Sequence, residues 1–314
     1  MRCIVIGSVE STRVCLRALA ASRGVEVAAV VTLPAELAHR HSDYVNLTSD
    51  AAGCGARLLR AGDGNAPEVV AASAAFDPDY LFVVGWSQIV RAPLRATARC
   101  GAIGFHPAPL PRFRGRAAIP WTILLDEKIT GSTLFWLDEG VDTGPILTQR
   151  LLHVALDETA TSLYARHMQA LEDVLAEVLP RLTTGNAPQH SQDERYATCC
   201  AKRVPADGLI DWQQPAEMVW RLIRAVTRPY PGAFTRDTAG RQIILWTAEP
   251  WPEGYRHMAL PGQVVARFDD SFAVRCGDGR DLRITEFTDA QGEPCPAPRL
   301  HARLGGPAAF GADP

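Results

Sequence analysis

GAIGFHPAPLPRFRGRAAIPWTILLDEKITGSTLFWLDEGVDTGPILTQ, Gly101–Gln149, is the stretch on which the reading of this 314-residue chain turns. The apolar run Ala102–Phe105 delivers His106 into a loop stiffened by Pro107, Pro109 and Pro111. That loop closes at Arg114-Gly115-Arg116, and a helix-like segment over Ala117–Leu125 follows. A second extended run, Gly131–Leu137, delivers the acidic turn Asp138-Glu139-Gly140-Val141-Asp142. Two strand ends thus present one imidazole and one carboxylate, each on a loop. Open α/β sheets bind ligands outside the carboxyl ends of their strands. An imidazole fixed by a carboxylate is suited to moving protons at neutral pH.

Upstream, apolar runs alternate with helical periodicity. Cys3–Gly7, Val25–Thr32, Ala56–Arg60 and Tyr80–Gly85 read as buried strands. Ser8–Ser11 turns into a helix carrying Val14, Cys15, Leu16 and Leu19, and Ala66–Ala75 is a second helix. The alternation predicts an α/β domain built on a mostly parallel, doubly wound sheet. The first turn, Gly7-Ser8-Val9-Glu10-Ser11, is not GxGxxG, which argues against a dinucleotide. Gly85-Trp86-Ser87-Gln88 ends the fourth strand on the same side as His106.

Downstream, Leu163–Leu182 reads as one long amphipathic helix with Leu163, Leu171, Val174, Leu175, Val178, Leu179 and Leu182 on its apolar stripe. His167 falls beside that stripe as a core-edge histidine. The run TTGNAPQHS, Thr183–Ser191, has loop chemistry. The predicted organisation is a catalytic domain at 1–190, a linker at 191–202 and a C-terminal domain at 203–314. Within the last, Ile243–Trp246, Gly262–Arg267, Phe272–Cys276 and Leu282–Thr285 are short runs separated by Gly, Pro and Asp, the spacing of a small β-barrel.

Composition narrows the function classes. Hydrophobic residues make up 47% and charged residues 21%, as in a soluble globular protein long enough for two domains. A formal net charge of −3 leaves no electrostatic footprint for nucleic acid or an anionic membrane. No window approaches the roughly 20 apolar residues of a membrane helix. Met1–Glu10 reads as a first strand and not a signal peptide. The eight cysteines are scattered without a CxxC spacing, which predicts no metal and reduced thiols in a cytoplasm.

These motifs resemble those of the folate-dependent formyltransferases, the family of methionyl-tRNA formyltransferase and the amino-sugar N-formyltransferases. There the active-site strand reads Asn-x-His, an LLPxxRGxxP-like loop follows, and an Asp closes a later DxGxDxG loop. His106, the loop LPRFRGRAAIP (Leu110–Pro120) and Asp142 fall in register with that pattern. The family's Asn falls on Gly104. The resemblance implies a Rossmann-like N-terminal domain that also lacks the dinucleotide fingerprint. It further implies a smaller C-terminal OB-like β-barrel, entered through Arg203–Thr235 with its Ile210-Asp211-Trp212 core and its PxPGAF turn. Arg and Asp alternate in this barrel without a basic stripe, so it is expected to be structural.

The resemblance also implies 10-formyltetrahydrofolate as cofactor. Backbone groups of Gln88, Ile89 and Val90 would hold the pterin, Arg116 stands at a basic folate-loop position, and the backbone of Asp138, Glu139, Gly140 and Val141 would form the opposite wall. His106 would act as general acid and base with help from Asp142, which favours the imidazolium. Gly104 occupies the third catalytic position. Formyl transfer requires an amine to lose a proton, an oxyanion to be stabilised and the folate nitrogen to be protonated. Proton transfer by a positioned side chain is worth roughly 100- to 10,000-fold. Arg112 and Arg114 are alternative contacts for a substrate phosphate or carboxylate. With only Gly at position 104, an ordered water, a substrate group, Gln88 or Ser87 is expected to fill the space of the missing amide.

The expected partner is a small-molecule amine, an amino-sugar nucleotide first and a hydroxylamine, hydrazine or amino-acid precursor next. A tRNA acceptor is disfavoured, because the place of that branch's basic insertion holds LPAELAHRHSDYVNL, Leu33–Leu47. Neither nucleic acid nor membrane is expected as a partner, and a homodimer is left open. Two readings from other classes stand beside this one. One is a formyltetrahydrofolate hydrolase, whose stand-alone members carry a regulatory domain ahead of the catalytic one, where this chain begins at its first strand. The other is an inactive folate- or ligand-binding protein, motivated by Gly104.

Overall fold

The apolar runs of the N-terminal half assemble into one seven-stranded sheet in a computed structural model that describes residues 1–253 and 257–305. Strands β1 (Arg2–Ile6), β2 (Glu26–Thr32), β3 (Arg57–Arg60), β4 (Tyr80–Val83) and β5 (Gly101–His106) alternate with helices α1 (Glu10–Ala21), α2 (Thr48–Gly53), α3 (Pro67–Ala75) and α4 (Ala92–Arg95). There follow β6 (Arg114–Gly115), α5 (Ala118–Leu124), β7 (Ile129–Trp136), β8 (Ile146–His153), α6 (Ala160–Thr183) and β9 (Cys199–Cys200). The sheet order is β3-β2-β1-β4-β5-β7-β8, with β6 and β9 forming a separate pair. Strands β1 to β5 run parallel, whereas β7 and β8 are antiparallel to their neighbours. The order reverses between β1 and β4, which opens the ligand crevice of doubly wound sheets at their carboxyl ends.

Alternation along the strands fills both faces of the sheet. Val5, Phe82, Ile103 and Leu134 pack with Leu16 and Leu19 of α1 and with Leu171, Val174, Leu175 and Val178 of α6. Ile4, Ile6, Val31, Leu81 and Val83 pack on the other side with Val69 of α3 and Leu94 of α4. β8 is the strand that sequence reading omits. It lies at the sheet's edge, so Thr148, Gln149 and Arg150 interrupt the apolar run.

His167 is more deeply placed than a core-edge residue. It is fully buried, and its Nδ1 lies 2.8 Å from Ser132 Oγ, also fully buried. Burial pushes its pKa down to about 3, with the charge of His106 a smaller contribution. A base whose folded-state pKa is depressed costs stability as pH falls below its unfolded value near 6.5, because only the unfolded chain takes up the proton. Between pH 7 and pH 5, His167→Asn should therefore lose roughly 2 kcal/mol less unfolding free energy than the wild type. Urea titrations at both pH values test this, and equal losses in the two proteins would refute it.

The chain divides into two units, and the division is not the expected 1–190, 191–202 and 203–314. The first comprises Met1–Ala118, Lys128–His153 and Tyr164–Lys202. The second takes Ile119–Glu127, Val154–Leu163 and the chain from Arg203 onward. Side chains account for both excursions. Arg221 pairs with Asp126 at 3.4 Å, Arg203 lies over the Trp121 ring, and Arg224 Nη1 donates to the Glu158 carbonyl. Residues 191–202, expected as a linker, belong to the first unit. They are mostly polar and follow the Gly- and Pro-bearing run Thr183–Ser191, but their hydrogen bonds run to the His106 loop and to the Asp142 loop.

In the second unit, α7 (Ala216–Val226) is followed by β10 (Ala233–Arg236), β11 (Gln242–Trp251), β12 (Val264–Arg267), β13 (Phe272–Arg275) and β14 (Asp281–Asp289). They form an antiparallel sheet of order β10-β11-β14-β13-β12. Among the described residues, β10 and β12 do not pair with each other, but both edges receive hydrogen bonds from residues 301–305. Gly305 and Arg236 exchange two, and Val264 N–H donates to the Ala302 carbonyl. Inside lie Trp212, whose Nε1–H donates to Thr235 Oγ1, and the buried Arg275–Asp281 ion pair at 2.6 Å. No helix among the described residues is long and apolar enough to cross a membrane.

Candidate active site

Strand alternation places Ala102, Gly104 and His106 on one face of β5. His106 ends the strand only 6% exposed, and its Nε2–H donates to the Phe113 carbonyl at 2.6 Å. A carbonyl can only accept, so the neutral ring carries its proton on Nε2 and its lone pair on Nδ1. Asp142 Oδ2 faces that lone pair at 3.7 Å and accepts the Gly115 N–H at 2.8 Å.

Asp142 does not reach the site in the way two neighbouring strand ends would suggest. β7 runs antiparallel to β5, with Trp136 opposite Ile103 and the Leu137 N–H bonded to the Ala102 carbonyl. The chain therefore leaves β7 at the amino end of β5, and the loop over 138–145 carries Asp142 back to His106. Several residues of the two loops adopt left-handed backbone, Phe113 at φ +63°, Ala117 at +58° and Asp142 at +55°, a conformation uncommon for side-chain-bearing residues and concentrated at functional sites. Gly115, at φ +99°, has a second constraint. A Cβ there would lie 2.6 Å from the Cys200 carbonyl oxygen, so the β6–β9 pairing demands glycine.

Gly104 departs from expectation in a different sense. Its missing side chain leaves no vacancy for water, substrate or a substitute donor. A Cβ built there would stand 2.8 Å from Leu137 Cδ2 and 2.9 Å from two ring atoms of Phe135, the residue opposite it on β7. The space is taken by apolar side chains. The proposed substitutes are also engaged elsewhere, since Gln88 accepts the Gly64 N–H and donates to the Gly62 carbonyl, while Ser87 Oγ meets His41 Nε2 at 3.2 Å.

Arg114 is not available to a substrate anion. It is buried, and its guanidinium binds both oxygens of Glu194, at 2.6 and 2.9 Å, together with Gln192 Oε1. The Glu194 carboxylate holds the Arg114 pKa above its ordinary value, so it remains charged. Arg112 lies 5.4 Å from the Phe113 ring centroid, and Arg116 is exposed.

The two loops expected to hold a cofactor are surface segments beside these strands. Val90 is buried, whereas Ile89 is 63% exposed. Asp138 to Val141 are exposed, and Asp138 Oδ1 folds the turn by accepting from Gly140 N–H and Thr143 Oγ1. Sequence reasoning missed His41, which stands against Ser87 with Arg116 near enough to act on its charge. Burial lowers its pKa, opposed by Asp43 and assisted by Arg116 and Arg40. Its only signal was a histidine in the loop after β2, on the ligand side of a parallel sheet.

Comparison with known proteins gives this geometry a family. The Formyl transferase pattern matches residues 1–179, and that of the Formyl transferase C-terminal domain matches residues 202–304. Among solved structures, WlaRD, a sugar 3N-formyl transferase crystallised with dTDP and 5-N-formyl-THF, is 14% identical with a TM-score of 0.64, over 91% of this chain and 97% of its own. The Helicobacter canadensis N-formyltransferase, in complex with folinic acid and dTDP-3-aminofucose, is also 14% identical with a TM-score of 0.63, over 90% of this chain and 98% of its own. HypX from Aquifex aeolicus, in complex with tetrahydrofolic acid, is 20% identical with a TM-score of 0.65, but the 91% of this chain that aligns spans only 44% of HypX. With both its domains matched, and with the fold shared with these structures, this chain belongs to the formyl transferase family of enzymes.

Proposed function

We propose that this chain is a 10-formyltetrahydrofolate-dependent N-formyltransferase acting on the amine of a small molecule. The observation that carries the reading is His106, with Nε2–H committed to Phe113 and its Nδ1 lone pair facing Asp142 at 3.7 Å. Such a ring has one site for an incoming proton, at Nδ1. Asp142 faces the charge that arrives there, at a distance where Coulomb attraction is substantial in a half-buried setting. His106 takes a proton at Nδ1 and releases one from it, ending as it began. The folate donor, when bound, supplies the formyl group and the nitrogen that leaves.

Residues on the two surface loops fit that donor. Among the described residues, the main-chain N–H groups of Gln88, Ile89, Val90, Glu139 and Val141 have no partner within the chain. Ile89 and Val141 are 63% and 52% exposed, so a flat, polar-edged ring would find both donors and apolar cover there. Asp138 and Gly140 shape the second loop, and Arg116 is an exposed basic group near His41. The solved relatives that carry dTDP or a dTDP-amino sugar support an amino-sugar nucleotide as acceptor. Gly104 supports a strongly nucleophilic amine, because no side chain at that position assists the formyl oxygen. The free thiols of all eight cysteines fit a cytoplasmic setting.

The apolar filling beside Gly104 also favours a second reading, a formyltetrahydrofolate hydrolase or a folate-binding protein without turnover. Incubation with 10-formyltetrahydrofolate, with and without a panel of amines, separates them by mass spectrometry. A formylated amine is the expected product. Formate released equally without any amine would establish the hydrolase, and binding without either product would establish the binder. Tetrahydrofolate should also slow hydrogen exchange in residues 85–90 and 138–142, while NAD and ATP should not. Protection by a nucleotide, with none by folate, would overturn the choice of donor.

A further inference from the structure

We propose that residues 192–200 are a positioning strap of the active site, in which Thr198 sets the His106 ring and Gln192 sets Asp142; this deepens the function proposed above and rests on it. Thr198 grips the proline loop three times. Its N–H donates to the Pro111 carbonyl at 3.2 Å, its Oγ1 accepts the Phe113 N–H at 2.9 Å, and its carbonyl accepts the Arg114 N–H at 2.9 Å. Those bonds bracket Phe113 in the left-handed conformation, which an aromatic residue does not adopt without support. The outcome is a Phe113 carbonyl turned onto His106 Nε2.

Gln192 does the equivalent for the carboxylate. Its Nε2 donates to the carbonyls of Asp142 and Gly144, both at 2.8 Å, and its Oε1 accepts from Arg114 Nε and Nη2. Every donor and the acceptor of the amide are used, so its orientation is determined. Arg114 is anchored in turn by Glu194 on the same segment. The β6–β9 pairing completes the strap by holding Gly115, whose N–H binds Asp142 Oδ2. Both halves of the His106–Asp142 pair thus depend on one segment that lies within the linker expected from the sequence. Neither Thr198 nor Gln192 touches the reacting groups, so both are positioning residues.

The test compares Thr198→Val, which removes the acceptor for the Phe113 N–H, with Thr198→Ser, which retains it. Misplacing a reacting group by about 1 Å costs up to roughly 100-fold, so Thr198→Val should lower kcat by about 10- to 100-fold. KM for the formyl donor should stay within about twofold, because the folate loops are untouched. The 15N NMR spectrum of the His106 ring should pass from a single Nε2–H tautomer to a mixture, and Thr198→Ser should restore both properties. Gln192→Met should lower kcat while leaving the tautomer intact, since it acts on Asp142. Wild-type kcat and tautomer in Thr198→Val, or no restoration by Thr198→Ser, would overturn the strap. Should Thr198→Val not fold, an unchanged kcat in Gln192→Met would overturn it. A wild type that formylates no amine, yet loses its locked tautomer in Thr198→Val, would overturn the proposed function and leave the strap standing.

Discussion

His106→Ala will lower kcat for formyl transfer by about 100- to 10,000-fold, the range expected when a positioned acid–base group is lost. Affinity for the folate donor should hardly change, because the imidazole is buried beneath the site and bonded to Phe113. A loss of donor binding equal to the loss of kcat would instead make His106 a binding residue. The substitution also leaves the Phe113 carbonyl without its donor, at a cost of about 1–3 kcal/mol. Turnover must therefore be measured well below the variant's melting temperature. Asp142→Asn should lose roughly 100-fold or more on the same assay, because an amide does not stabilise a charged ring. Residual turnover above about a tenth of wild type in His106→Ala would fall short of general base catalysis and remove the residue from its role.

Gly104→Asn has the second large expected effect, and the structure reverses its meaning. Were position 104 simply short of a donor, supplying the family's Asn would raise activity on any amine, since one oxyanion donor is worth roughly 100- to 1,000-fold. The new Cβ instead meets Leu137 and the buried ring of Phe135 below 3.0 Å. Overpacking of this kind costs about 1–3 kcal/mol. It would also press on the β5–β7 pairing two residue pairs away from His106 and Thr133. The variant should melt several degrees lower and lose about tenfold or more in kcat on every acceptor. A gain on all amines with unchanged melting would show that the pocket yields at no cost, and that the wild type is a degenerate form of the family.

The Gly104 result illustrates where sequence reading reaches its limit. Position 104 was identifiable as exceptional because the resemblance places the family's Asn there, two residues before His106. What fills the resulting space belongs to Phe135 and Leu137, which reach it through an antiparallel pairing. Likewise, Arg114 stands in a loop with every mark of an exposed anion contact. Its burial follows from Glu194 and Gln192, separated from it by a long stretch of chain and by α6. His41 was counted only toward the charge of its loop, and its contact with Ser87 joins the turns after β2 and β4.

The sequence by itself determined the α/β alternation, the two-domain composition and the His106 and Asp142 motifs, because periodicity, turn chemistry and local spacing are properties of neighbouring residues. It also marked Gln88 to Val90 and Asp138 to Val141 as loops, since the apolar runs end there. Only the tertiary structure decided that β7 runs against β5, so that Asp142 arrives by a returning loop and not from an adjacent strand end. It alone turned residues 191–202 from a linker into the backing of the His106 loop, and filled the place beside Gly104 with apolar side chains. The physical reason is common to all three. Hydrogen-bond pairing and close packing join residues far apart in the chain, and the identity of a buried neighbour is not written in the local pattern of the residue it touches.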